Sequence, residues 1–310
     1  MSEQPTPPIV TVVLATYEGA RFLPEQLQSL SSQSRRPDRL VLRDDGSRDQ
    51  SVQVVRNWAK DNGIELQELT GPRLGPSRSF LLALQLSKPA DIFFFCDQDD
   101  VWLPQKIARA LEIVPSGEGS PATLLATRLE VVDEQLGHLR LSQLPKHLSF
   151  ASATCESLLT GCTMAFNSSF REQLVRCLPE SAAMHDWWCY LLATGVRGMK
   201  IHFDPLPTLR YRQHGGNALG AGPTGLAAAL ARGKRFFGPR TSVRSNQLRE
   251  LQKLYGPSLT PEAFSLLQQL VPAVRQSVFV RVKTAFFAPI HRQTVFATMV
   301  SRLSLLTDRF

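Results

Sequence analysis

The first hundred residues alternate between short apolar runs and longer segments in which apolar residues recur at every third or fourth position. The short runs are rich in β-branched and aromatic residues and are too short for independent helices, so each one predicts a strand. These runs are residues 9–16, 40–43, 64–69 and 91–96. The longer segments predict helices over residues 22–33, 51–63 and 77–88. Such alternation is typical of a parallel sheet covered by helices on both faces, and it predicts an α/β fold.

The pattern becomes less regular after residue 100. It predicts a helix over residues 104–114, a strand over 123–132, a small group of elements over 159–170 and a helix that starts at 184–188. A Gly-rich break at 214–225 then ends the α/β region, and Arg-rich helical segments follow it.

Three regions follow from this pattern. Residues 1–8 contain no basic or apolar run that could act as a signal peptide, so we expect a short flexible leader. Residues 9–220 are predicted to form the α/β domain, and residues 221–310 a basic, mainly helical extension. No stretch reaches the roughly 18 consecutive apolar residues that a membrane-spanning helix needs.

The positive charge of the chain is concentrated at its C-terminal end. The 310 residues carry a net charge of +8, but residues 221–310 hold 13 Lys and Arg against three Asp and Glu, whereas the rest holds 22 against 24. The sequence contains no zinc-finger, homeodomain or RNA-recognition signature, so nucleic acid is not expected as a partner. The basic residues alternate with Phe, Val and Leu. This predicts either an amphipathic surface for an anionic membrane or helices packed on the α/β domain.

The five cysteines are odd in number and include no CxxC pair. They are typical of small buried apolar residues in a reducing compartment, and they are weak evidence for a zinc site. We therefore expect a cytoplasmic protein. The basic tail adds peripheral attachment to the inner face of the cell membrane as an extension of that expectation.

Acidic residues follow two of the predicted strands. FFFCDQDDVW places Asp97, Asp99 and Asp100 after the fourth strand, and DDGS places Asp44 and Asp45 after the second. Because ligands of a parallel sheet bind beyond the carboxyl ends of its strands, we expect a single acidic edge there. Carboxylates suit Mg²⁺ or Mn²⁺, usually together with substrate phosphates. This edge predicts a divalent metal site, with a solvated loop or a helix cap as the alternative.

Other kinds of phosphate chemistry can be compared with the same residues. The sequence contains neither GxxxxGK[ST] nor GxGxxG after the first strand, so a P-loop is excluded and a dinucleotide site is not expected. DQDDV fits the Asp-x-Asp-x-Val pattern of phosphatases that use an aspartyl nucleophile. Those enzymes need a later acidic pair, and no Asp-Asp pair follows Asp100. This counts against a phosphatase but leaves it as an alternative.

Seven ordered motifs resemble the inverting family-2 glycosyltransferases with the GT-A fold. They are VTVVLATYEGARFLPEQLQSLSSQ, LVLRDDGSRDQS, GPRLGPSRSF, FFFCDQDDVW, TGCTMAFN, MHDWW and YRQHGGN, and they cover roughly residues 8 to 220. DQDDVW, HDWW and YRQHGGN are most similar to the rhamnosyltransferase-type members that build bacterial cell-surface polysaccharides. The resemblance implies a GT-A catalytic domain with a Rossmann-like mixed sheet, followed by the C-terminal helical extension.

The resemblance implies a set of residues around the nucleotide of a nucleotide-sugar donor. This set is Ala15, Thr16, Tyr17, Asp44, Asp45, Arg78 and Asp97. The first three would line the base pocket, and the carboxylates of Asp44 and Asp45 would meet the base or the ribose, with Asp45 the stronger candidate. Arg78 would reach towards the nucleotide.

The resemblance also implies the residues that carry the chemistry. Asp97 and Asp99 would hold a divalent cation, Mg²⁺ or Mn²⁺, on the diphosphate, and His214 would complete the metal shell. Asp186 in HDWW matches the catalytic base, although as a lone acidic residue before an apolar run it is also typical of a helix N-terminus.

The implied activity is the inverting transfer of a sugar from a nucleotide-sugar donor onto a saccharide or lipid-linked acceptor. L-Rhamnose from dTDP-rhamnose is the first expectation. Glucosyl, galactosyl or N-acetylhexosaminyl transfer from a UDP-sugar is the alternative within the fold. A phosphatase and a non-catalytic membrane-binding protein are the alternatives from other classes.

Overall fold

The fold is built on one mixed sheet of nine strands. The protein is represented by a computed structural model that describes residues 6–180, 182–215, 243–273 and 277–307. The strands are β1 (Val10–Thr16), β2 (Arg39–Asp44), β3 (Glu65–Thr70), β4 (Ile92–Asp97), β5 (Val101–Trp102), β6 (Thr123–Val132), β7 (His138–Leu141), β8 (Ala165–Asn167) and β9 (Lys200–Arg212). Their order is β3-β2-β1-β4-β8-β6-β9-β5, and β7 pairs with β6.

Helices cover this sheet and form the C-terminal part of the chain. Those of the first two hundred residues are α1 (Leu23–Ser31), α2 (Ser51–Asn62), α3 (Pro76–Leu86), α4 (Lys106–Ile113), α5 (Phe150–Ala153), α6 (Ser168–Arg176) and α7 (His185–Gly195). The later ones are α8 (Val243–Tyr255), α9 (Pro261–Ala273), α10 (Val278–Phe287) and α11 (Val295–Leu306). The predicted α/β class is therefore confirmed, and the strands and helices of the first hundred residues end within one or two positions of their predicted bounds.

The parallel part of the sheet brings the acidic strand ends together. β1 lies between β2 and β4 and is parallel to both, with Thr16 opposite Asp44 and Ala15 opposite Asp97. Alternate residues of β1 enter opposite core clusters, Val12 and Leu14 on one face and Val13 on the other. Because both faces are covered, the register is fixed, and the polar strand ends are held at one edge of the sheet.

The longest strand, β9, is absent from the sequence prediction. Two prolines, Pro205 and Pro207, interrupt its pattern, and proline is a poor indicator of an internal strand. β9 nevertheless pairs in parallel with β6, with a register irregularity where Arg128 faces Pro207. The irregularity accommodates the missing backbone donor.

The C-terminal helices divide into two pairs. Helices α8 and α9 contribute to the main hydrophobic core, in which the Tyr255 ring meets the Trp188 ring at 6.2 Å. The Tyr255 hydroxyl also donates to Gln173 O at 2.7 Å. Helices α10 and α11 instead leave many apolar side chains exposed.

In the described ranges no helix combines the length and apolarity that crossing a membrane requires. Most of the predicted Gly-rich break lies outside the described residues, as do residues 1–5 of the leader.

Candidate active site

A cleft of about 850 Å³ opens at the carboxyl ends of β1, β2 and β4. Seven of the residues predicted for the site line it: Ala15, Thr16, Tyr17, Asp45, Asp97, Asp99 and Asp186. His214 joins them indirectly, because its Nε2 lies 2.7 Å from Asp99 Oδ2. The fold thus gathers side chains that are up to about two hundred residues apart in the sequence.

The floor of the cleft depends on Gln98, the residue between the two aspartates. Gln98 Oε1 accepts from Thr16 Oγ1 at 2.6 Å and from the Tyr17 backbone N–H at 2.9 Å. A Cβ on Gly19 would lie only 2.3 Å from the same oxygen, so a larger residue at this position would displace the Gln98 side chain. The Arg73 guanidinium lies over the Tyr17 ring at 4.0 Å from its centroid. Sequence reasoning gave no role to Gln98 or Arg73, and both line the cleft.

Asp45 is buried and fully engaged by its surroundings. Its Oδ2 accepts from the backbone N–H groups of Leu74 and Gly75, and its Oδ1 accepts from the Ser79 hydroxyl. The buried Arg43 guanidinium lies 3.3 Å from Oδ1. Asp45 therefore fixes the loop before α3 against the end of β2, and this loop forms one wall of the cleft.

Asp44 and Arg78 lie elsewhere. The Asp44 carboxylate accepts from the backbone N–H groups of Gly46 and Ser47 and from the Ser47 hydroxyl, so it closes its own turn. Arg78 is exposed on α3. Neither is among the described residues that line the cleft, and their proposed contacts with a nucleotide remain predictions.

Replacing Asp45 with Ala should lower the free energy of unfolding by about 3 kcal/mol, because it leaves the buried Arg43 guanidinium without its counter-charge. Denaturant unfolding at neutral pH measures the change. Asp61→Ala is the matched control: Asp61 is exposed on α2, and its loss should change stability by less than about 0.5 kcal/mol. An Asp45→Ala variant as stable as the control would contradict the clamping role.

The acidic turn after β4 is held from beneath by Arg212. Its backbone N–H donates to Asp100 Oδ1 at 3.3 Å, and its Nε donates to Asp99 O at 2.9 Å. Its guanidinium also pairs with Glu25 and lies over the Phe22 ring at 5.2 Å. Arg212 belongs to the YRQHGGN motif, in which sequence reasoning gave a role only to His214. Nothing in this motif indicates the role of Arg212, because its contacts with the acidic turn form only in the folded chain.

The carboxylates of this turn repel one another. Burial, together with the charges of Asp99 and Asp186, raises the pKa of Asp97 to about 8. Burial and the charges of Asp99 and Asp97 hold the pKa of Asp100 well above its usual range. A positive ion in the cleft would relieve this repulsion.

The carboxylates of this turn suit a hard divalent cation, whereas the neighbouring thiol of Cys162 is a soft ligand that does not. Among the described residues, one group of three offers metal-ligating atoms within 4.8 Å of one another: Asp97, Asp100 and Cys162. Asp100 is fully buried, and its Oδ2 accepts no hydrogen bond from a described N–H or O–H group. The predicted set of Asp97, Asp99 and His214 is arranged differently, since the imidazole bonds directly to Asp99. Of the three carboxylates of the turn, Asp97 and Asp99 line the cleft and Asp100 does not.

Asp186 occupies the first turn of α7, on the opposite wall. Its Oδ1 accepts from the Trp187 backbone N–H at 2.6 Å and its Oδ2 from the Gly161 N–H at 3.1 Å. Burial raises the pKa of Asp186 to about 6, although these two hydrogen bonds act in the opposite direction. A carboxylate held rigidly at a cleft wall with a pKa near neutrality is suited to accepting a proton.

Comparison with known proteins agrees with this geometry. The sequence profile described as "Glycosyl transferase family 2" matches residues 11–175, which is more than half of the chain. The dTDP-rhamnosyl transferase RfbG of Shigella flexneri is 24% identical over 223 residues, which cover 67% of this chain and 74% of that relative.

Two solved structures share the fold. The structure of S. aureus TarS 1-349 in complex with UDP-GlcNAc has a TM-score of 0.55 at 12% identity and is matched over 96% of this chain and 90% of its own. The mannosyltransferase PcManGT from Pyrobaculum calidifontis, in complex with GDP-Man and Mn²⁺, has a TM-score of 0.55 at 16% identity, over 98% of this chain and 75% of its own. Together with the profile match, they place the cleft on a GT-A fold, and the chain belongs to glycosyl transferase family 2.

Proposed function

We propose that the protein is a metal-dependent, inverting glycosyltransferase that moves a sugar from a nucleoside-diphosphate donor onto a saccharide hydroxyl. The observation that supports this most directly is the position of Asp186, whose carboxylate faces the same cleft as Asp97 and Asp99 and is close enough to raise the pKa of Asp97. A base and an acidic pair in one cleft provide the two functions that such a transfer needs.

The reaction is a single displacement. The acceptor oxygen forms a bond to the anomeric carbon while the bond from that carbon to the diphosphate oxygen breaks, and its electron pair leaves with the diphosphate. The acceptor proton passes to a carboxylate oxygen of Asp186. Because the Gly161 and Trp187 N–H groups hold this carboxylate in place, little reorganisation precedes the proton transfer.

Asp97 and Asp99 are the residues that would hold Mg²⁺ or Mn²⁺. When bound, the ion would neutralise charge that develops on the departing diphosphate. His214 would orient Asp99 through the imidazole–carboxylate bond and is itself stacked on Phe22 at 4.5 Å. The Mn²⁺ in the complex of PcManGT supports the choice of a divalent ion.

The nucleotide would lie between Tyr17 and the loop before α3. Ala15, Thr16 and Tyr17 provide a strand-end surface for the base, and Arg73 adds a positive charge above the tyrosine ring. dTDP-rhamnose is the donor we propose first, because the relative from Shigella flexneri is named as a dTDP-rhamnosyl transferase. UDP-sugars are the alternative, which the UDP-GlcNAc complex of TarS supports.

The acceptor we propose is a saccharide or a lipid-linked saccharide of cell-surface polysaccharide synthesis. The protein would then act in the cytoplasm, at the inner face of the membrane, with the basic residues 221–310 near anionic lipids. The phosphatase alternative lacks support from the family to which the chain belongs.

A thermal-shift screen of nucleotide sugars with Mn²⁺ or Mg²⁺ tests the proposal. Because a ligand at about 100 times its Kd stabilises the folded state, the preferred donor should raise Tm by about 3 °C or more, and only with metal present. The same donor should then release nucleoside diphosphate when an acceptor is added. Hydrolysis of p-nitrophenyl phosphate without any acceptor, or the absence of a shift with every nucleotide sugar, would contradict a glycosyltransferase.

A further inference from the structure

The last two helices present an apolar surface to solvent. Within α10, α11 and their connection, which we call the aromatic hairpin (residues 278–306), nine large apolar side chains are exposed: Val278, Phe279, Val282, Phe286, Phe287, Val295, Phe296, Met299 and Leu303. They are half of the eighteen exposed large apolar side chains in the described parts of the chain. Phe279 and Phe287 are 87% and 78% exposed. An apolar surface of this extent marks an interaction site.

A basic pocket of about 760 Å³ adjoins the aromatic hairpin. It is lined by Lys146, His147, His291, Arg292, Gln293, Thr294, Val295, Thr298, Met299 and Arg302. This lining contains three Lys or Arg side chains and two imidazoles but no carboxylate. Val295 and Met299 belong both to the pocket and to the exposed apolar surface. The basic pocket and the exposed apolar surface of the aromatic hairpin therefore adjoin each other.

The pocket is fixed by contacts from both sides. Arg302 donates to four backbone carbonyls at and just after the end of α10, which orients its guanidinium, and no described carboxylate pairs with it. Gln293 Nε2 donates to His147 O at 3.2 Å, and His291 Nε2 lies 2.9 Å from Ser149 Oγ. Only Arg292 has an acidic partner in the described chain, Glu156 at 2.7 Å. The pocket is therefore preformed and remains positively charged.

The pocket is connected to the cleft through two short segments. Ser142 lines the cleft, and Lys146 lines the pocket only four residues later. In the second segment, Glu156 accepts from Arg292 Nε at 2.7 Å, while its neighbour Ser157 lines the cleft. The pocket and the cleft are therefore lined by neighbouring segments of the chain.

We propose that the aromatic hairpin enters an anionic bilayer and that the basic pocket binds the phosphate of a lipid headgroup there. Exposed Phe side chains suit the boundary between headgroups and acyl chains, and residues 278–306 carry four Lys and Arg but no Asp or Glu, which matches an anionic leaflet. This inference rests on the proposed glycosyltransferase function: the membrane-bound pose presents the cleft to a sugar that is linked through phosphate to a lipid.

Vesicle flotation with the full chain tests the inference. The wild-type protein should bind phosphatidylcholine vesicles that contain about 30 mol% phosphatidic acid at least about tenfold more tightly than pure phosphatidylcholine. Phe279→Ser combined with Phe287→Ser should reduce binding to the anionic vesicles about tenfold or more. Lys146→Glu should remove most of the preference for phosphatidic acid. Matched controls are Leu206→Ser, an exposed leucine on β9, and Lys200→Glu, an exposed lysine that does not line the basic pocket; both should bind as the wild type does.

Other outcomes have defined meanings. Unchanged vesicle binding by Lys146→Glu, together with loss of inorganic phosphate binding in the same variant, would overturn the lipid assignment in favour of a free-phosphate site. A wild-type dimer that binds no vesicles and dissociates in the double Phe variant would show that the surface joins two copies of the chain. Nucleotide-sugar binding by the same variants separates the two proposals. Lost donor binding in every protein would refute the glycosyltransferase function, whereas normal donor binding without any vesicle binding would refute only the membrane inference.

Discussion

Replacing Asp186 with Asn is expected to lower the rate of sugar transfer by about 10²–10⁴-fold, which is the usual contribution of a general base. The amide has nearly the same shape as the carboxylate but cannot accept the acceptor's proton. Donor affinity should stay within about threefold of wild type, because the interaction lost is one that forms in the transition state. Single-turnover transfer and calorimetric titration of the donor measure the two quantities separately.

Asp61→Asn is the matched control, since it makes the same chemical change on the exposed side of α2. An amide at position 186 keeps only one of the two hydrogen bonds from Gly161 and Trp187, so the unfolding transition of the variant has to be compared as well. A stable Asp186→Asn protein that transfers sugar within tenfold of wild type would show that the base is another group.

The pH profile gives a second measurement of the same role. Burial raises the pKa of Asp186 to about 6, and the base works only when it is deprotonated. The wild-type rate should therefore rise with pH through this region and level off above it. Bound divalent metal would shift the rise to lower pH by favouring the carboxylate. The residual rate of Asp186→Asn should lack this rise, and a profile identical to the wild type would contradict the assignment.

The strand-end part of the site could be predicted because it follows from a rule of geometry. Parallel strands end at one edge, so TYEGAR and DQDD, which follow β1 and β4, had to be neighbours once these strands were recognised. The position of Asp186 could be derived only through the motif, since an acidic residue before WWCYLLA is equally typical of a helix start. The structure places it in the first helical turn and also in the cleft wall.

The sequence alone could not predict which side chains contact one another in the folded chain. Asp45 was expected to face the nucleotide, and nothing in LVLRDDGS indicates that Arg43 turns inward to meet it. Gln98 and Arg73 carry no local pattern, because their roles depend on contacts with a strand more than fifty residues away. The sequence pattern predicts which neighbouring residues share a helix or a strand. Contacts between side chains that are far apart in the sequence can be identified only in the folded chain.

The basic tail illustrates the same limit. Its composition left packing and membrane contact as equal alternatives, and the structure shows that its described helices differ in how far their apolar side chains are buried. Leu248 and Leu251 of α8 are buried in the main core, so this part packs on the catalytic domain. Phe286 and Phe296 of the aromatic hairpin remain exposed. Periodicity alone could not distinguish the two pairs, because both alternate apolar and basic residues.

Replacing Asp99 with Asn should weaken donor binding by about 10–100-fold when Mn²⁺ is present. The amide preserves the size of the side chain but removes the charge that would hold the ion and pair with His214. Transfer should fall at least as much, because the developing charge of the diphosphate loses its counter-ion. Calorimetric titration of the nucleoside diphosphate, with Mn²⁺ and with a chelator, measures the effect, and Asp61→Asn serves as the control.

Measuring donor affinity with a chelator distinguishes a metal role of Asp99 from a structural defect, because the two predict different changes in affinity for the Asp99→Asn variant. Without an ion, the Asp99 carboxylate repels the diphosphate, so removing its charge should leave donor affinity unchanged or increase it slightly. With Mn²⁺ the same substitution should decrease the affinity. A distorted turn would instead weaken binding in both conditions. Wild-type affinity that is equal with and without Mn²⁺, or an equal loss in both states of the variant, would therefore remove the metal from the proposed mechanism.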